Sequence, residues 1–166
     1  MRIFLLGVAA ALLFGGAARA DNFDDPKALV EAIYQPYTRG EQPANIEGYY
    51  TDGLKNLFAK HLQQAEYWGG IGTKIDVAAT REPAFDPFVN AKHYLLLDLS
   101  ITDAVVDGDH AVVNVTYKNF DHPSVLTISL QKTATQGWKV DDVTSLGADQ
   151  HWLLSWLLAN DPWAVN

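Results

Sequence analysis

From Leu95 to Thr144 the chain alternates apolar and polar residues in runs separated by turn signals, a pattern that demands an antiparallel sheet. Asp107-Gly108 separates Leu95–Val106 from His110–Asn119, and Asp-Gly between β-branched runs is a hairpin signal. Phe120-Asp121-His122-Pro123 reads as a longer loop, because proline has no N–H to give to a ladder. Ser124–Lys132 then turns at Thr135-Gln136-Gly137 into Trp138–Thr144. Strand alternation puts Ala111, Val113, Val115 and Tyr117 on one face, followed by Leu126, Ile128 and Leu130, then by Trp138, Val140 and Asp142. Leu95, Leu97, Leu99 and Ile101 extend that face, while Asn114, Thr116, Thr127, Ser129, Lys139 and Asp141 point outward. One-sided burial predicts an α+β fold: a four-strand antiparallel meander with helices packed on one side only.

The helices come before the meander. Asp25 is a good N-cap with Pro26 in the first helical position, and Leu29, Ala32 and Ile33 form a stripe that Pro36 ends or kinks near Gln35. Thr51 caps a second helix carrying Leu54, Leu57, Phe58, His61 and Leu62 at helical spacing. Gly69-Gly70-Ile71-Gly72 breaks it. Thr73 stands where a phosphate loop needs its last glycine, so this is a connection. Ile75–Ala79 suits a short additional strand. At the other end, His151–Leu158 reads as one helix closing the core, with Trp152 and Trp156 sharing a face at i, i+4 and Trp163 more exposed than either.

Residues 1–20 have the form of a secretory signal peptide: a basic Met1-Arg2 start, an apolar run from Ile3 to Phe14 and the Ala18-Arg19-Ala20 box. That apolar run is too short for a stable membrane span. Cleavage after Ala20 would leave residues 21–166 as a single periplasmic domain. The sequence has no cysteine, so no lipid can be attached through a thiol and no disulfide can form. With Arg2 and Arg19 removed from the 12 basic residues, the 20 acidic ones outnumber the remainder two to one. Such a surface repels phosphate backbones, which argues against nucleic acid as a partner. Asn114-Val115-Thr116 matches a glycosylation acceptor but falls mid-strand and is taken as chance.

Asp86-Pro87-Phe88, the strands after it and the closing Gly137-Trp138-Lys139-Val140-Asp141-Asp142-Val143 resemble the exported bacterial domain-of-unknown-function family 3828. Ala32-Ile33-Tyr34-Gln35-Pro36-Tyr37 and Tyr49-Tyr50-Thr51-Asp52-Gly53-Leu54 are similar to its helical signatures. The resemblance implies a cone-shaped fold of the nuclear transport factor two-like superfamily, with helices in the concavity of a curved sheet. It implies no particular activity.

The chemistry-bearing residues are sparse. The five histidines never fall at i, i+3 or i+4 from one another, and there is no His-Glu-x-x-His, so neither a metal nor another cofactor is expected. No serine sits in a nucleophile elbow. Asp142, read as continuing the face of Trp138 and Val140, could act as a base at the edge of an apolar cavity or cap backbone donors near the final helix. Tyr50, His61 and Trp138 complete the set of candidate ligand-binding residues, with Asp142, Tyr50 and His61 the candidate catalytic ones. Three functions remain open. The first is an exported module binding a small apolar ligand or a protein, able to form a homodimer. The second is an acid/base enzyme of isomerase or dehydratase type in the same cavity. The third is an immunity-type antagonist that blocks a toxin with its acidic face.

Overall fold

A computed structural model describes residues 22–69, 85–147 and 151–160. The expected leader of residues 1–20, the expected connection at Gly70–Gly72, the expected strand Ile75–Ala79 and Trp163 lie outside the described residues. The elements are α1 (Pro26–Tyr37), a 3-10 turn (Ile46–Tyr49), α2 (Asp52–Gly69), β1 (Leu96–Ile101), β2 (Val105–Asp107), β3 (His110–Asn119), β4 (His122–Thr133), β5 (Gly137–Leu146), β6 (His151–Leu153) and α3 (Leu154–Asn160). The strands form one antiparallel sheet in the order β1-β3-β4-β5-β6, with β2 also on β3. The fold is α+β, a curved sheet with helices on one face, as the alternation demanded.

Capping sets both N-terminal helices. The Asp25 carboxylate accepts from the Lys27 amide at 3.1 Å, with Pro26 at the first position. Thr51 Oγ1 accepts from the Leu54 amide at 3.1 Å and starts α2. Helix α1 continues through Pro36 to Tyr37 rather than stopping at Gln35. In the last turn a missing N–H forfeits a single bond. Leu29, Val30, Ile33 and Tyr34 are sealed against Val113, Val115, Leu126, Ile128 and Leu130 in the core.

Four expectations need correction, and strand geometry explains each. The run Leu95–Val106 is two strands: β1 and β2 both pair with β3, separated at Thr102–Ala104. Within β1 the register slips between Leu97 and Ser100, and Asp98 takes a left-handed φ of 53°. The slip reverses the expected parity there: Leu95 and Leu97 are exposed, while Leu96, Leu99 and Ile101 pack on the core.

The second correction concerns Pro123. Asn119 pairs with His122, so the hairpin loop is only Phe120-Asp121, and Pro123 lies inside β4 opposite Lys118. Strand β5 pairs with β4 only as far as Leu126, so Pro123 sits beyond the stretch where a second neighbour would need its N–H.

The third is a bulge in β5. Leu130 pairs with Val140 and Ser129 with Asp142, so Asp141 is an extra residue. Trp138 and Val140 point into the core, but so do Val143 and Ser145; Asp142 is turned to the opposite face. The fourth is the C-terminal segment. His151–Leu153 is a strand paired with Thr144–Leu146, and the helix begins only at Leu154. Trp152 and Trp156 therefore do not share a helix face, and Trp156 is 57% exposed.

Candidate functional site

The concave side, where a cone-shaped fold would hold a ligand, is filled by the chain's own rings. Tyr50 lies nearly parallel to Phe58 at 5.4 Å between centroids and to Phe88 at 6.2 Å, and is itself buried. Tyr34 meets the same Phe88 edge-on at 6.2 Å, and its hydroxyl donates to the Phe88 carbonyl at 2.7 Å. Tyr37 donates to Asp86 Oδ2 at 2.6 Å, while the Phe88 amide donates to Oδ1 at 2.9 Å. Burial pushes the phenols of Tyr34, Tyr37 and Tyr50 well above the ordinary tyrosine value, and the nearby Asp86 carboxylate adds to the rise. Neutral phenols of that kind hold structure; they do not shuttle protons near neutral pH.

The nominated residues are sent to separate tasks. Tyr50 is the middle ring of the stack. His61 is buried on α2, with Nδ1 3.3 Å from the Leu158 carbonyl, tying α2 to α3. Trp138 is buried too: Lys132 Nζ stands 5.9 Å from its ring centroid, and its amide donates to Phe23 O at 2.8 Å. Asp142 Oδ1 accepts from its neighbour Val143 at 2.8 Å and from Ser155 in the first turn of α3 at 3.0 Å. Asp142 is thus a capping residue for α3, bonded to backbone amides. Its neighbour Asp141 serves α2 in parallel, accepting from Thr51 Oγ1 at 3.0 Å.

Asp86 is the residue the sequence reading passed over. It lies in the Asp86-Pro87-Phe88 element and fastens the 85–91 turn to α1 through Tyr37. The available signal was Tyr34 and Tyr37 on one buried helix stripe, whose hydroxyls need acceptors. Lys139 was also missed. It was expected outside, yet it is 1% exposed, and its Nζ donates to the Gly48 carbonyl at 2.8 Å. Burial lowers its pKa, helped by Lys55 and opposed by Asp52.

Among the described residues, an open recess borders the β5–β6 edge of the sheet. It has a volume of about 400 Å³ and lies between β5, β6 and α3, and Leu146, Leu153 and Trp156 border it at 64%, 40% and 57% exposure. Thr144, His151 and Trp152 line it as well. Trp152 is fixed there, its Nε1 donating to Asn90 Oδ1 at 2.9 Å and its ring 5.1 Å from that of Phe85. Among the described residues no group of His, Asp and Glu could hold a metal ion, and no helix is long and apolar enough to cross a membrane.

No protein-family profile matches the sequence, and no curated protein does. Among solved structures the chain is similar to a phospholipid-binding protein from Ralstonia solanacearum, solved with a bound phospholipid, at 18% identity and a TM-score of 0.32. The match covers 81% of this chain and 59% of that one, so the chain spans under two thirds of its length.

Proposed function

We propose that the protein is an exported, non-catalytic binding module that takes a small apolar ligand in the recess beside Trp156. One observation carries this reading: the concavity is packed with rings, whereas three large apolar side chains stay exposed around an open recess at the β5–β6–α3 corner. The recess is shallow and broadly open to solvent, and its lining is mostly apolar with a few polar groups. The leader-like residues 1–20 support a periplasmic location. The acid/base alternative finds no support in the geometry, because Asp142, Tyr50 and His61 are each engaged in separate structural bonds or stacks.

The test is a titration of the purified protein with a neutral naphthylamine dye, followed by dye and tryptophan fluorescence. Saturable binding that is weakened by Trp156→Ala and by Leu153→Ser supports the site. Binding that survives both substitutions, or no binding at all, removes it.

A further inference from the structure

Trp152 is gripped from two sides by a single turn. Phe85 and Asn90 stand at opposite ends of that turn, yet the Phe85 ring lies 5.1 Å from the Trp152 ring and Asn90 Oδ1 accepts from Trp152 Nε1 at 2.9 Å. Asn90 Nδ2 also reaches Ser145 Oγ on β5, at 3.5 Å. It does so from a left-handed backbone with φ 49°, a conformation that asparagine tolerates better than most residues. Between its ends the turn is closed on itself. The Asp86 amide donates to the Ala91 carbonyl at 3.0 Å, and the Val89 amide to the Asp86 carbonyl at 3.2 Å. Phe88 and Val89 anchor it in the core, both sealed from solvent.

The same turn is fastened to α1. Asp86 Oδ2 accepts from the Tyr37 hydroxyl at 2.6 Å, a charge-assisted bond of the stronger kind, while Oδ1 holds the Phe88 amide. A continuous series of contacts therefore runs from Tyr37 through Asp86 and the turn to Asn90 and Trp152. It ends on a short element: β6 has three residues, lies at the edge of the sheet and pairs only with Thr144–Leu146. A strand of that kind opens locally at low free energy unless its side chains are held.

We infer that the 85–91 turn is a clasp through which α1 sets the wall of the recess, with Asp86 and Asn90 as positioning residues for Trp152. The role depends on the recess being the ligand site, and it adds how that site is kept in shape. While the clasp is closed, Trp152 is a fixed part of the lining, so a ligand need not order it. Its indole N–H is already bonded to Asn90 and gives no hydrogen bond to a ligand, which leaves apolar contact as its contribution. When the clasp loosens, Trp152 and β6 open together, and affinity falls with the fraction of molecules that keep the wall.

Hydrogen exchange at the Trp152 indole N–H reads the clasp with no ligand present; proton–nitrogen NMR of the purified protein follows it, with Trp152→Phe giving the assignment. Tyr37→Phe removes one hydroxyl on α1, outside the residues that line the recess. It should speed that exchange about tenfold and weaken binding of the naphthylamine dye about threefold or more. Asn90→Ala should do at least as much. Asn90→Asp keeps an acceptor oxygen and the tolerance for a left-handed backbone, so its exchange should stay within about twofold of the wild type. A purely structural role for Tyr37 would lower the melting temperature but leave Trp152 exchange and dye affinity unchanged well below the melt, and that result overturns the clasp. Slow exchange in Asn90→Ala overturns it too. Should Tyr37→Phe unfold, Asp86→Asn takes its place with the same expected readings. A wild type that binds no dye removes the ligand reading instead, and the exchange rates then decide the clasp by themselves.

Discussion

Asp142 Oδ1 lies 3.0 Å from the backbone nitrogen of Ser155 and so joins the bulge of β5 to the first turn of α3. A carboxylate here takes one of the free N–H groups at the start of a helix and favours its positive end. Removing it by Asp142→Ala should cost about 1–2 kcal/mol in urea unfolding, with Asp142→Asn recovering much of the loss. Amide exchange should quicken mainly in residues 154–160. An alanine variant that unfolds like the wild type would show that the bond contributes nothing.

Gly137 and Gly40 provide a matched pair. Both hold a positive φ, 67° and 74°. A methyl group on Gly40 would meet nothing within 4 Å, whereas on Gly137 it would drive into the backbone carbonyl of Phe23, which also accepts the Trp138 amide. Gly40→Ala should therefore cost about 1 kcal/mol, the left-handed penalty alone. Gly137→Ala should cost at least about 2 kcal/mol more, because the N-terminal segment must leave β5. Equal losses in denaturant titrations would rule out the Phe23 contact as the cause.

What was legible from sequence depended on whether a strand stayed in register with its neighbours. The uninterrupted alternation of His110–Asn119 could be read directly, since period two survives wherever a strand has no extra residue. The same reading failed at Leu97 and at Asp142 for a single reason. A bulge shifts the parity of everything beyond it, and only the partner strand reveals it. Trp152 and Trp156 failed differently: spacing of four suits a helix, but pairing of His151–Leu153 with Thr144–Leu146 prevailed over it. The capping roles of Asp25 and Thr51 were readable because they are local. Those of Asp86 and Lys139 were not, because their partners Tyr37 and Gly48 are about 49 and 91 positions away in the chain.

Alkaline pH should unfold the protein steeply. Tyr34, Tyr37, Tyr50 and Tyr117 are buried, and burial raises each phenol above the ordinary value of 10.0. Above pH 10 the unfolded chain loses these protons while the folded one keeps them, so stability falls as pH rises. Each phenol contributes up to about 1.4 kcal/mol per pH unit in that window. Lys139 acts with the opposite sign: its folded pKa is lowered, so the cost of its charge fades as pH rises toward 10.5. Tyr50→Phe should flatten the decline above pH 10, and Lys139→Met should remove the small gain below 10.5. A stability curve level through pH 11 would contradict the burial of the phenols.

The tryptophans should separate by stability and accessibility in the same set of variants. Trp138 is 3% exposed beneath Lys132, so Trp138→Ala should cost about 3–5 kcal/mol, the penalty of emptying a sealed core position. Trp156 is 57% exposed on α3, so Trp156→Ala should stay within about 0.5 kcal/mol of the wild type. Trp152 falls between them. Replacing it with Phe keeps the ring against Phe85 but leaves Asn90 Oδ1 without its donor, a loss of about 1 kcal/mol. Acrylamide should quench single-tryptophan proteins in the order Trp156, Trp152, Trp138. Ligand binding in the recess would protect Trp156 and leave Trp138 unchanged. If Trp156 is instead the least quenched in the free protein, α3 is covered and the recess is closed to any ligand.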